Sequence, residues 1–72
     1  MRHWRARGQP ARTQVRDDVE IANTMTGFYL VFDGAFYAVP FGSFDGALAG
    51  ATGPHADFYR REASKPYSDE AR

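Results

Sequence analysis

A chain of 72 residues, a quarter of them charged and none of them cysteine, has room for one small domain and excludes disulfides and thiolate metal sites. Its net charge of zero conceals a split: residues 1–16 hold five arginines and no acid (+5), and residues 17–72 hold four basic residues and nine acids (4 − 9 = −5). No apolar run approaches the roughly 20 residues of a membrane helix, and no secretory signal is recognisable. We therefore expect a cytoplasmic protein without a membrane span.

Residues 1–12, MRHWRARGQPAR, are predicted to form a flexible basic arm, because they lack apolar periodicity and contain Gly8 and Pro10. Arginines neutralise phosphates, and Trp4 could stack on a base. The run from Arg5 to Pro10 loosely resembles the AT-hook, a minor-groove motif built on Arg-Gly-Arg-Pro, but it places Gly8 after both arginines. The alternatives are a solvated tail and an arm that folds back onto the acidic body. The candidate nucleic-acid-binding residues are Arg2, Trp4, Arg5, Arg7, Arg12 and Arg16.

Residues 13–25 allow two interpretations. β-Branched residues alternate with polar or small ones over Val19–Asn23, which favours a short strand. Apolar residues also recur at helical spacing, so a helix over Thr13–Ala22 with Thr13 as its N-cap is the alternative. A third strand would support the hairpin that follows, because an isolated two-stranded hairpin is marginal in water.

Residues 27–41, GFYLVFDGAFYAVPF, predict a β-hairpin. Asp33-Gly34 suits a two-residue type I′ turn, because both positions need a positive φ. This turn sets Val31 opposite Phe36, and the same register sets Tyr29 opposite Ala38 and Phe28 opposite Val39. It also assigns each side chain to a face. One face carries Phe28, Leu30, Phe32, Ala35, Tyr37 and Val39. The other face carries Tyr29, Val31, Phe36, Ala38 and Pro40.

Both faces of this hairpin are apolar, whereas a small antiparallel sheet usually has one wet face. A helix can cover the first face, so the second needs another cover: the segment 15–25, an identical subunit or a different protein. We take the second face as the candidate partner-binding surface, formed by Tyr29, Val31, Phe36 and Ala38.

Residues 43–52 are predicted to form a helix that packs on the hairpin. Ser43 is its expected N-cap, and Gly53-Pro54 is a stop signal. Apolar residues at helical spacing form its predicted buried face, with Leu48 against the hairpin. That face comprises Phe44, Ala47, Leu48 and Ala51.

The remaining chain is expected to form one or two helical turns over residues 55–63, anchored by Phe58 and Tyr59 and with Arg60-Arg61 exposed. Residues 64–72 are polar and charged, so we expect a disordered or loosely attached tail. The single α+β domain is thus assigned to residues 13–63: a two- or three-stranded antiparallel sheet with one short helix on one face.

No residue pattern in the sequence indicates catalysis. Neither His3 nor His55 belongs to a recognisable pattern for nucleophilic catalysis. His55 and Asp57 could offer only two metal ligands, whereas a tight site usually needs three or four. We therefore predict a non-enzymatic protein without a metal or cofactor.

The favoured function is a protein-binding module that docks on a larger protein or assembly through the apolar sheet face, or that self-associates through it. In size and layout alone the chain is similar to small phage or mobile-element inhibitors, such as anti-CRISPR proteins, and equally to small accessory subunits of large complexes. The alternative function is nucleic-acid binding through the arginine-rich arm.

Overall fold

The computed structural model describes residues 11–63 and, as backbone only, residues 65 and 66. It shows an α+β fold, as predicted, in which an antiparallel sheet with its strands in chain order carries two short helices on one face. This is more than the two or three strands and single helix expected. The elements are β1 (Arg12–Arg16), β2 (Val19–Thr24), β3 (Gly27–Phe32), β4 (Ala35–Phe36), α1 (Phe44–Thr52), α2 (Ala56–Glu62) and a two-residue β5 (Lys65–Pro66).

The ambiguous segment before the hairpin is extended. β2 pairs along its whole length with β3, so the strand over Val19–Asn23 is confirmed and the alternative helix over Thr13–Ala22 does not form. β1 adds an edge strand to β2, with an irregular register between Gln14 and Arg16. The segment 15–25 therefore does not cover the second face of the hairpin. As a strand, β2 lies beside the hairpin, and this position buries Ile21 in the core beneath α1.

The predicted turn between β3 and β4 is confirmed. Asp33 has a φ of 51° and Gly34 a φ of 86°, the positive values that a type I′ turn requires. The register places Val31 opposite Phe36, as the sequence predicts. Two residues of the expected loose tail, those of β5, pair with β4 on its other edge.

β4 is shorter than the predicted arm of the hairpin. After Tyr37 donates its backbone N–H to the Leu30 oxygen at 2.9 Å, the chain leaves the sheet over residues 37–40. It returns at Phe41, which pairs with Phe28 through backbone hydrogen bonds of 2.9 and 2.7 Å. The predicted pairing of Phe28 with Val39 is therefore wrong, and Val39 is 58% exposed in what we call the 37–40 loop.

Proline and glycine explain this loop. Pro40 has no N–H to donate to a ladder, so the strand cannot continue through it. Gly27 lies beside it with a φ of 135°, and a Cβ built there would lie 2.8 Å from the Phe41 carbonyl oxygen and 2.9 Å from the Pro40 Cβ. Only glycine allows the chain to approach this closely.

Helix α1 begins and ends where the sequence predicts. The Ser43 Oγ accepts a hydrogen bond of 3.0 Å from the Gly46 backbone N–H, which confirms the N-cap. The helix ends at Thr52, before the Gly53-Pro54 stop.

The buried face of α1 differs from the prediction. Its buried residues are Ala47, Gly50 and Ala51, whereas Leu48 is 36% exposed, so the expected burial of Leu48 against the hairpin is wrong. A Cβ at residue 50 would lie 2.9 Å from the Phe41 Cζ, which shows how closely this helix approaches the aromatic layer. The small residues therefore form the contact, because they permit an approach that a leucine would prevent.

Helix α2 confirms the expected helical turns after the stop signal. Tyr59 anchors it to the core, as predicted, but Phe58 remains 47% exposed. Arg60 is half-buried rather than exposed, while Arg61 is exposed. Among the described residues, neither helix has the length and apolarity needed to cross a membrane.

A single cluster between the sheet and the helices forms the core of the described chain. Its buried members are Val19, Ile21, Leu30, Phe32, Ala47 and Ala51. Asn23 is a buried polar residue at the margin of this layer, 7% exposed, and its Nδ2 atom has no hydrogen-bond partner among the described residues.

Candidate protein-binding surface

The sheet face opposite the helices contains most of the predicted partner-binding residues. We call it the outer face, and it carries Glu20, Ala22, Tyr29, Val31 and Phe36. The Tyr29 and Phe36 rings meet edge to face with centroids 5.6 Å apart, and the Tyr29 hydroxyl lies 2.8 Å from the Thr26 Oγ1. Val31 is only 3% exposed, so it offers almost no area to a partner.

Ala38 does not lie with the other three residues in the ladder. The sequence-based register sets it opposite Tyr29, but the chain has already left the sheet at the 37–40 loop, where Ala38 is exposed. The structure therefore brings Tyr29, Val31 and Phe36 together and separates Ala38 from them.

The accessible apolar area lies on the other side, where the 37–40 loop meets α2. The Tyr37 ring packs against Tyr59, with centroids 4.8 Å apart, and against the edge of Phe58 at 6.4 Å. Phe58 also meets Tyr59 edge to face at 5.6 Å. We call Tyr37 and Phe58 the Phe58 surface. Phe58 is one of the most exposed large apolar residues of the described chain, and Val39, two residues after Tyr37 in the loop, is exposed as well.

Sequence reasoning identified Phe58 only as a core anchor and placed Val39 on the helix-covered face. The signal for this surface was Pro40, which ends strand pairing and so releases the residues before it. The exposure of Phe58 carried no comparable signal, because a phenylalanine is more often buried than exposed.

A polar cavity of about 250 Å³ lies at the N-terminal end of α2. Its lining includes Arg16, Thr52, Asp57 and Arg60. The Arg60 guanidinium is already engaged there, because its Nε donates to Asp18 Oδ2 at 3.0 Å and its Nη1 donates to Asp57 Oδ1 at 2.8 Å. The described residues contain no cluster of three or more potential metal ligands.

The candidate nucleic-acid-binding residues divide into two groups. Arg2, Trp4, Arg5 and Arg7 lie outside the described residues. Arg12 and Arg16 are exposed at the two ends of the edge strand β1. The Nη1 atom of Arg12 lies 3.4 Å from Glu20 Oε1.

No protein-family model matches this chain, no curated protein matches it, and no solved structure matches it.

Proposed function

We propose that this chain is a non-enzymatic protein-binding module that docks on a larger protein through the Phe58 surface. The observation that supports the proposal is the 47% exposure of Phe58 at the rim of an ordered aromatic cluster. Either an inhibitor of a larger assembly or a small accessory subunit would act in this way, by occupying a surface.

The energetics favour burial of this ring in a complex. Full burial of a phenylalanine side chain is worth roughly 1.5–3 kcal/mol, so covering the exposed half of Phe58 is worth about 1 kcal/mol. Contacts with Tyr37 and Tyr59 already restrict the ring, so little side-chain entropy remains to be lost on binding. Aromatic residues held in this way are typical of the anchor positions that dominate interfaces.

The outer face is a weaker candidate for the same role. Tyr29 and Phe36 are half-buried, and Val31 is almost fully buried. A partner would gain less apolar area there than at the Phe58 surface, where Phe58 is 47% exposed.

The test compares Phe58→Ala with Met25→Ala. Met25 is a suitable control because it is 75% exposed, at the β2–β3 turn. A partner is first captured from a nuclease-treated extract and purified, and its affinity for each variant is then measured. We expect Phe58→Ala to weaken binding about tenfold, as a hot-spot truncation of 1–2 kcal/mol does, and Met25→Ala to leave it unchanged.

If Phe58→Ala keeps the affinity of the wild type and Tyr29→Ala loses binding, the interface lies on the outer face. The mass of the purified protein in solution distinguishes a hetero-partner from self-association. If a second copy occupies the Phe58 surface, Phe58→Ala yields a monomer.

Nucleic-acid binding is the second candidate, and the position of Arg12 and Arg16 favours it. Both cations are exposed on the strand that continues from the arginine-rich arm. If all five arginines of residues 1–16 neutralise phosphates on duplex DNA, log affinity falls against log salt with a slope near about −4.5. Arg61→Gln, at an exposed site on α2, is the control. Salt-independent affinity contradicts this candidate.

A further inference from the structure

Strand β1 lies at one edge of the sheet, and its outer side meets no other strand of the described chain. The strand order runs from β1 to β5, so β1 has only β2 as a neighbour there. An edge strand presents a row of N–H and C=O groups with which a further strand can pair. The hydrogen-bond pattern shows which groups these are.

The register identifies the backbone groups that face away from β2. In an antiparallel pair, directly opposed residues alternate between those that exchange hydrogen bonds and those that do not. The Asn23 N–H donates to the Ala11 oxygen at 2.8 Å, so Ala11 exchanges bonds with β2. Thr13, two residues on, occupies the next exchanging position, and Gln14 therefore occupies a non-exchanging one. The N–H and C=O of Gln14 point outward from the sheet.

This part of the edge is open. Neither outward group of Gln14 has a hydrogen-bond partner among the described residues. The Gln14 side chain is engaged elsewhere, since its Nε2 donates to the Arg16 carbonyl oxygen. Gln14 is also exposed, so a donor and an acceptor are available together to an extended chain that approaches from solvent.

Charge sets the kind of strand that fits. β1 carries an arginine at each end and no acid. Arg16 is exposed and forms no ion pair with another described residue. A second copy of β1 paired antiparallel about Gln14 would set Arg12 of each chain opposite Arg16 of the other, and like charges directly opposed are destabilising. A strand with acidic side chains is stabilised at the same positions.

We propose that β1 accepts an additional antiparallel strand from a partner protein, an extended segment with an acidic side chain opposite Arg16. Antiparallel pairing suits this edge, because one opposed residue then exchanges both hydrogen bonds with Gln14. In strand addition of this kind, main-chain bonds give affinity and side chains give specificity. The site is independent of the Phe58 surface, because β2 and β3 separate β1 from β4, which Tyr37 follows.

Gln14→Pro in the full-length protein is the main test, and the probe is a terminally blocked peptide of alternating valine and glutamate. Proline removes the outward N–H without changing any charge, and the β1–β2 ladder does not use that N–H, so the circular dichroism spectrum should be unchanged. We expect the wild type to bind the peptide and its Gln14 amide to exchange more slowly with solvent in the complex. Gln14→Pro should lose about tenfold in affinity, as expected for a lost hydrogen bond.

Matched controls separate the backbone contribution from the charge contribution. Gln14→Val keeps the N–H and should keep the affinity. Arg16→Gln should weaken binding about threefold, as loss of an exposed ion pair does, whereas Arg61→Gln on α2 should not. A peptide with lysine in place of glutamate should not bind. If Gln14→Pro does not fold, the glutamate peptide N-methylated at its glutamates replaces this variant, because it lacks the donors that face Gln14 and should not bind.

Four results overturn the proposal. The first is no binding of the glutamate peptide, and the second is equal binding of the glutamate and lysine peptides. The third is binding that survives both Gln14→Pro and N-methylation, which would place the peptide elsewhere. The fourth is slow exchange of the Gln14 amide in the protein alone, which would assign the edge to another part of the chain or, if dilution abolishes it, to a second copy.

Discussion

The Nε of Arg60 donates to Oδ2 of Asp18 at 3.0 Å, so one ion pair joins α2 to the β1–β2 turn across 42 residues of chain. The same guanidinium lies 5.1 Å from the centre of the Phe32 ring and also binds Asp57. Arg60 therefore fixes the position of the second helix by charge, by hydrogen bonds and by its contact with the aromatic edge of the core.

Arg60→Ala should destabilise the domain more than Asp18→Asn does. The ion pair is about 40% exposed on both sides, so its loss should cost less than about 1 kcal/mol. Arg60→Ala additionally loses the cation–π contact with Phe32, worth about 0.5–1 kcal/mol, and the packing of its stem. Urea unfolding measures both changes, with Arg61→Ala as the exposed control. Equal costs for the two variants would mean that the ring contact contributes nothing.

Leu30→Ala and Leu48→Ala should differ sharply, although both remove the same atoms. Leu30 is 0% exposed, so its truncation should cost about 2–5 kcal/mol. Leu48 is 36% exposed, so its truncation should cost under about 1 kcal/mol. The free energies of unfolding of the two variants test this difference. A large cost at residue 48 would restore the sequence-based prediction that this side chain packs against the hairpin.

Substitutions at Gly27 and Gly34 should distinguish the stability cost of a steric clash from the cost of a positive φ alone. Gly27→Ala places a Cβ 2.8 Å from the Phe41 carbonyl oxygen, so we expect a loss of at least about 2 kcal/mol from strain and clash. Gly34→Ala meets nothing within 4 Å and should cost only the penalty of about 1 kcal/mol for its positive φ. Gly34→Asn, which tolerates that φ, is the control and should recover most of the loss. Thermal unfolding ranks the three variants.

Local chemistry explains which parts of the fold the sequence predicts well. The Asp33-Gly34 turn and the Ser43 cap are each specified by two or three adjacent residues, and both are confirmed. The 37–40 loop is not predictable in this way, because the return of Phe41 to Phe28 depends on contacts between Gly27 and Pro40, thirteen residues apart.

The Phe58 surface could not be predicted from the sequence for the same reason. A period-2 pattern assigns faces only while the strand continues, and here β4 ends at Phe36. Exposure of Phe58 depends on how closely α2 approaches its neighbours; a Cβ at residue 50 of α1, for example, would lie only 3.2 Å from the Tyr59 Cε2 of α2. Periodicity carries no information on that distance.

Asn23→Leu should stabilise the domain. The Nδ2 atom of Asn23 is buried without a partner among the described residues, and removing such a group should recover about 1 kcal/mol. Asn23→Asp is the matched control, and it should lose stability because it buries a charge in the same place. Chemical denaturation of both variants distinguishes them. A loss of stability in Asn23→Leu would show that the amide has a partner.

Because strands β1 to β4 follow each other in chain order, they can form before either helix has been synthesised. The sheet face carrying Ile21 and Leu30 then remains uncovered until α1 has been synthesised. α1 ends at Thr52, 16 residues after β4. At the usual 5–20 residues per second, that interval is roughly one to three seconds on the ribosome. A nascent chain with an uncovered apolar sheet is prone to aggregation during this time, so synthesis rate over residues 37–52 should affect the yield of folded protein.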